Sequence, residues 1–351
     1  MHRSSEGADS SGPRRSLSRM KNTGRYSIAW PIRATGLGNR LFPWACCEIM
    51  SRDLSLSVLA PQMATIRRGA LFRGGIDYQH FITKTLLWDN FDFKNYVRGV
   101  KRLSVLLSYP RIPEDRVRDD VSAAGRAMPA DGLVVFRGYG DLFVSLRGEH
   151  AFLLEKLRGM TKAKWIEEAE KPRYALGVNI RLGRDFSVPS SEQDMQRQGL
   201  MLTPIEWFVK AIKEVQKRVG QVPCLVVSDG NREALRPILE LPNVRLFGGR
   251  SAVSDLLCLA RCSALIGTGG SSFTAWAAYL ANAPVLTHAS RSQKWFRLDE
   301  AVPFVGVYPG SDIDRFSELL TERILTSRVG GTTNTPQSSS LDPEETAPQT
   351  S

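Results

Sequence analysis

From Tyr174 onward the chain alternates short apolar runs with stretches in which apolar residues recur every three or four positions. Residues 174–181 (Tyr-Ala-Leu-Gly-Val-Asn-Ile-Arg) read as a strand. Thr203-Pro-Ile-Glu206 then predicts a helix start, with Thr203 as N-cap, Pro204 at the first helical position and Glu206 three residues after the cap. Ile205, Phe208, Val209, Ile212 and Val215 continue it at helical spacing. The pattern next predicts a buried strand at 222–228, a short helix at 232–239, a strand at 243–247 and a helix at 254–260. A strand at 264–267, an apolar helix at 272–281 and a last strand at 284–287 follow. Strands alternating with helices imply a parallel sheet covered on both faces, the doubly wound α/β class.

The first half begins in the same way. Residues 26–33 predict a strand interrupted by Pro31, followed by a glycine loop, a helix over 39–53 and a strand over 56–59. A strand at 133–136 and a helix beginning at 151–157 close this half, and 67–131 shows no clear period. Two α/β domains are expected, over 25–165 and 172–327, joined by a charged link at 161–173 that precedes Pro172. Residues 1–24 (Ser, Gly and Arg without an apolar run) and 328–351 (Thr, Ser, Gly, Pro and Gln) predict a disordered leader and tail.

Composition narrows the partners. Of 351 residues 42% are hydrophobic and 24% charged, enough apolar material for a core, so general disorder is excluded. The net charge of +11 favours anionic partners: nucleic acid, an anionic membrane or phosphorylated small molecules. Its distribution argues against the first, since the basic residues are scattered and no zinc-finger, KH or RNP-type motif is present. Arg14, Arg15, Arg19 and Lys21 of the leader suit peripheral contact with the inner face of a membrane, although no window reaches the ~18 apolar residues of a spanning helix. The five cysteines (Cys46, Cys47, Cys224, Cys258, Cys262) lack a CxxC pair and are expected to be buried thiols in a reducing cytoplasm. The four histidines have no ligand spacing, so no metal is expected.

Three segments carry candidate chemistry. Thr35-Gly36-Leu37-Gly38-Asn39-Arg40 lies between a strand and a helix, where glycines let a ligand approach the backbone and a helix start favours an anion. It is a poor dinucleotide fingerprint: Leu41 replaces the third glycine and no acid ends the next strand, which argues against an NAD(P) oxidoreductase. Asn179-Ile-Arg181-Leu-Gly183-Arg184-Asp185 leaves a buried strand at the end where open α/β sheets bind ligands. Arg181 and Arg184 offer planar forks for phosphate oxygens, and Asp185 can orient a fork or act as a base. Gly267-Thr-Gly-Gly270-Ser271-Ser272-Phe273 enters a third helix without the Walker lysine. Its N–H groups and hydroxyls suit a phosphate, and Ser228-Asp229 at another strand end adds a polar wall. The plain alternatives are a tight strand-to-helix turn for the first segment, an Arg–Asp pair bracing the domain cleft for the second and a capped helix with close packing for the third.

Together the segments resemble a known family. Gly36-Leu-Gly38-Asn39-Arg40-Leu-Phe42 resembles the G-L-G-N-[QR]-[ML]-F opening of family-11 glycosyltransferases, the α-1,2-fucosyltransferases. Asn179-x-Arg181-x-Gly183 is similar to the core of the H-x-R-x-G-D motif shared across fucosyltransferases, and residues 270–280 to their late S-[ST]-F-S-x-W-[AG]-A-x-L segment. Asp255 fits the acid that opens the helix before it. The resemblance implies a GT-B fold of two Rossmann-like domains facing a cleft, the N-terminal one on the acceptor side. It also implies inverting transfer of fucose from GDP-fucose to a glycan hydroxyl, with no metal or other cofactor. By the same resemblance Arg181 neutralises the leaving diphosphate, with Arg184 and Arg40 as further cations. Ser271, Ser272 and Phe273 hold it, Gly36, Gly38 and Asn39 line the facing side, and Asp185 is the candidate base. Asn179 stands where the family has histidine, and Asp185 comes one residue late. The alternative is a non-catalytic nucleotide- or glycan-binding protein of the same fold.

Overall fold

The computed structural model describes residues 24–30, 32, 35–63, 83, 84, 86, 87, 89–117, 131–171, 174–182, 202–291 and 293–329. Most of the leader and nearly all of the tail, including Arg14, Arg15, Arg19 and Lys21, lie outside them. Among the described residues no helix is long and apolar enough to cross a membrane.

Two parallel sheets organise the chain. The first runs through β1 (Arg25–Ala29), β2 (Ser57–Val58), β3 (Arg111–Pro113) and β4 (Gly132–Phe136) in the order β2-β1-β4-β3. Its described helices are α1 (Leu37–Leu54), α2 (Gly99–Ser108) and α3 (His150–Met160). The second contains β5 (Leu176–Ile180), β6 (Cys224–Ser228), β7 (Val244–Leu246), β8 (Ala264–Gly267), β9 (Val285–His288) and β10 (Val305–Tyr308). Its order, β7-β6-β5-β8-β9-β10, is the 3-2-1-4-5-6 sequence of the Rossmann fold, every pairing parallel. Helices α5 (Ile205–Val219), α6 (Arg236–Leu239), α7 (Ala252–Leu259), α8 (Ser272–Ala281) and α9 (Asp312–Val329) serve this sheet. The expected pair of Rossmann-like α/β domains in a GT-B-like layout is therefore present. The central strands are buried end to end, as in Leu-Val-Val-Phe of β4 and Cys-Leu-Val-Val of β6, because helices cover both faces and leave no polar side to alternate with.

One apolar cluster crosses the boundary between the domains. Trp276 and Tyr279 of α8 meet Phe42 of α1 and Phe143, with the Trp276 ring 5.1 Å from Phe42 and 5.0 Å from Phe143. The Tyr279 hydroxyl donates to the Leu146 carbonyl at 2.5 Å, which satisfies its polar tip within the cluster.

Several local expectations change. The link expected at 161–173 contains a helix, α4 (Ala163–Glu170), because Trp165 and Ala169, four apart, bury one face against α7. Helix α5 starts at Ile205 with Pro204 at its cap position and no side-chain cap bond; Thr203 is buried in the preceding segment. The helix expected at 232–239 shrinks to α6, with Pro237 in its first turn. Strand β10 and helix α9 follow the strand expected to be last, and α9 reaches Val329, two residues into the expected tail. None of the five cysteines is in a disulfide and all are buried, and burial raises Cys224 and Cys258 to about 12.

Candidate functional site

In a sheet of this order the chain leaves β5 and β8 in opposite directions, which opens a crevice at their carboxyl ends. Register places Asn179 of β5 beside Gly267 of β8. Two hydrogen bonds stitch the emerging chains together: Thr268 N–H donates to the Asn179 carbonyl at 3.0 Å, and Arg181 N–H donates to Thr268 Oγ1 at 3.0 Å. Arg181 is thus the first residue out of the sheet. Its guanidinium meets Asp229, Nη1 to Oδ2 2.6 Å, while the other carboxylate oxygen accepts Leu182 N–H at 2.7 Å. Asp229 is 8% exposed and Arg181 30%, so the carboxylate acts as a strut and the arginine keeps access to the crevice. Ser228 shapes the turn behind them: its Oγ accepts Gly230 N–H at 3.0 Å.

The opposite wall is the start of α8. Ser271 is its N-cap, Oγ accepting Thr274 N–H at 3.4 Å, and Gly270 turns the loop at φ +68°. Helix geometry then leaves the N–H groups of Ser272 and Phe273 pointing outward, at the positive end of the helix dipole. Both residues are half-exposed, whereas Ser271 is buried with its hydroxyl committed to the cap. Gln293, fully buried, donates to the carbonyls of Thr268 (3.1 Å) and Ser271 (3.3 Å) and holds the loop from behind. These bonds fix the loop that carries the start of α8.

The two glycine motifs interlock. A Cβ on Gly38, in the first turn of α1, would lie 2.7 Å from Ser272 Oγ and 2.8 Å from Phe273 N. Only glycine lets the two helix starts approach so closely. Gly38→Ala is expected to push the α8 start out of place, weakening GDP-sugar affinity about tenfold and costing ~1–3 kcal/mol of stability. Titration calorimetry and thermal melts check this; unchanged affinity would show that the contact does not set the site.

Other expected site residues are placed differently. Asn179, expected to bind donor, is 2% exposed, and its Nδ2 donates to Thr274 Oγ1 at 2.7 Å, tying β5 to α8 inside the protein. Arg40, expected among the cations facing the diphosphate, is buried. Its Nε donates to the Thr35 carbonyl at 3.0 Å and its Nη1 to Met63 and Gln62 carbonyls, so it braces the loop after β1. Gly36 is exposed at the N-cap position of α1 and Asn39 half-buried in its first turn. Arg184 and Asp185 lie outside the described residues. Thr268, Thr274 and Gln293 complete the framework. Gln293 carries no sequence signal, because nothing nearby in the chain hints at the loop it holds.

Asp255, expected among the donor-binding residues, is buried in the first turn of α7. Lys84 Nζ approaches its Oδ2 at 2.9 Å, while Oδ1 is buried without a hydrogen-bond partner. Gly249 leaves the space it needs: a Cβ there would sit 2.1 Å from Oδ1. Burial is the main reason its pKa rises to about 7; the nearby carboxylates of Glu168 and Asp229 add to this, and Lys84 opposes it. A folded-state pKa above the ordinary 3.8 means that ionisation opposes folding. Its contribution is therefore full below about pH 4 and lost as pH rises through about 7. Asp255→Asn is expected to flatten that part of the Tm–pH curve; parallel curves for variant and wild type would contradict it.

Residues 146–294 match the model of the family described as glycosyl transferase family 11. This span carries Arg181, Asp255 and the start of α8, and the resemblance read from the motifs holds over it; residues 36–42 fall outside. No curated relative matches the sequence. Among solved structures, the fucosyltransferase NodZ from Bradyrhizobium is similar at 15% identity and a TM-score of 0.45, covering 74% of this chain and 94% of that one. NodZ α-1,6-fucosyltransferase soaked with GDP-fucose aligns at 15% identity and TM-score 0.46, covering 76% and 95%. POFUT1 in complex with GDP aligns at 12% identity and TM-score 0.46, covering 76% and 99%.

Proposed function

We propose that this protein is an inverting, metal-independent glycosyltransferase that moves fucose from GDP-fucose to a hydroxyl of a glycan. The observation that carries the reading is the convergence of Arg181 and the α8 start on the crevice between β5 and β8. In such a transfer the acceptor oxygen attacks the anomeric carbon from the face opposite the nucleotide. The bond from that carbon to the β-phosphate oxygen breaks, and GDP departs with the electron pair. Charge builds on the β-phosphate, where a fixed guanidinium and aligned N–H groups stabilise it without rearranging. Arg181 and the N–H groups of Ser272 and Phe273 fill the role that a divalent cation takes elsewhere. The acceptor proton goes to a base, a role for which Asp185 is the candidate on the motif.

Wild-type protein is expected to bind GDP in titration calorimetry without added metal, and to show a raised thermal midpoint by mass action. No heat and no shift would remove the donor reading. One observation favours the alternative of a binding protein without turnover. Asp229, the acid at this wall, is committed to Arg181 and Leu182, and the buried Asn179 offers no ionisable group. GDP binding without hydrolysis of GDP-fucose or transfer to any glycan would decide for that alternative.

A further inference from the structure

A second cationic feature lies at the carboxyl edge of the other sheet. Trp30 follows β1 and its N–H donates to the Phe136 carbonyl at 2.8 Å, which sets it beside Arg137, the residue after β4. Tyr26, Ile28, Leu133 and Val135 share one face of this sheet. Strand alternation puts Trp30 and Arg137 on that face, and Arg111 joins it through its pairing with Leu133. The Arg111 and Arg137 guanidinium carbons each lie 5.6 Å from the Trp30 ring centroid.

Both arginines are exposed, and among the described residues neither side chain has a carboxylate partner. The neighbouring Glu114 accepts the Arg137 backbone N–H at 3.2 Å. Exposed arginines elsewhere in this chain do pair, as Arg52 with Glu149 and Arg158 with Glu170. An indole that gathers two guanidinium groups spends the arginines' stacking surface and leaves their N–H edges for an anion. The location matters as well. A few residues on in the chain, Gly36 caps α1 and Gly38 in its first turn abuts Ser272 at the proposed nucleotide wall.

We propose that Arg111 and Arg137, gathered on Trp30, bind an anionic group of the acceptor glycan, so that the substrate class is an acidic saccharide bearing carboxylate, sulfate or phosphate. This rests on the glycosyltransferase reading above. A planar fork would take two oxygens of such a group and orient the chain that carries the reacting hydroxyl.

The test is a glycan array of matched neutral, carboxylate-, sulfate- and phosphate-bearing oligosaccharides, probed with GDP-loaded full-length protein. Acidic members are expected to bind, the three acidic arms naming the group. The Arg111→Ala/Arg137→Ala double variant is expected to lose that binding at least about tenfold, a lost charge-assisted contact. GDP affinity, titrated separately, should stay unchanged in the double variant. Arg137→Lys, which keeps charge and loses the fork, should fall between them. Equal binding of neutral and acidic members, no binding of any member, or full retention by the double variant would overturn the proposal. Absence of GDP binding by wild type would instead overturn the donor reading.

Discussion

Arg181→Ala is expected to lower the rate of GDP release from GDP-fucose by about 10²–10³-fold while the protein stays folded, because one preorganised donor to a developing anion is lost. The side chain is partly exposed and no core packing depends on it. Its loss takes the guanidinium from Asp229, which keeps the Leu182 N–H, so a small fall in thermal midpoint should accompany the kinetic loss. The effect should appear in kcat as well as in KM, since the charge it meets grows only as the bond breaks. Arg181→Lys should recover part of the rate, restoring charge without the fork. Asp229→Asn tests the strut: the Leu182 bond can persist while the guanidinium loses its anchor. Initial-rate assays with each variant, beside their melts, separate the roles. A rate for Arg181→Ala within about threefold of wild type would place the leaving-group cation elsewhere.

Trp276→Ala should have the largest effect on stability, about 3–5 kcal/mol, against the 5–15 kcal/mol total of ordinary domains. The indole is fully buried and its Nε1 has no hydrogen-bond partner among the described residues, so the cost is one of packing and cavity rather than lost polar bonding. Its neighbours Phe42 and Phe143 belong to the first half of the chain. The variant should therefore also loosen the first sheet from the second, and a single calorimetric transition should broaden or divide. Trp276→Phe, which keeps most of the volume, should cost less. One sharp transition at the wild-type midpoint for Trp276→Ala would show that the domains are held by something other than this cluster.

The Trp276 effect arises where the two halves meet and the Arg181 effect at a strand end of the second sheet, and the sequence foretells the two places unequally. The alternation of elements after Tyr174 could be read because each buried parallel strand is a continuous apolar run bounded by turns, a pattern set by residues a few positions apart. Arg181 and the glycine turn before α8 could be located on strand ends for the same reason. Helix α4 was read as a link because its apolar stripe is only Trp165 and Ala169 amid charges, too sparse to distinguish from a solvated segment. Helix α2 and strand β3 went unread, the former leaving Val100, Leu103 and Leu107 exposed and so giving no core-facing signal.

Fold class, the glycine turns and the presence of a cation at the end of β5 were thus consequences of local pattern. Strand order was not, since β5 lies between β6 and β8, and that choice depends on which distant surfaces fit. Nor was the function of individual polar residues. Asn179 and Arg181 are two apart and looked alike as ligands, but one amide is buried against Thr274, 95 positions away, while the other side chain reaches the crevice. Arg40 is held inside the protein in the same way, by carbonyls at Gln62 and Met63. A polar side chain reaches a ligand only where it stays accessible, as Arg181 does beside Asp229, and not where it is buried on an internal partner. That partner is supplied by tertiary packing, because burying an unpaired polar group is costlier than bonding it within the fold.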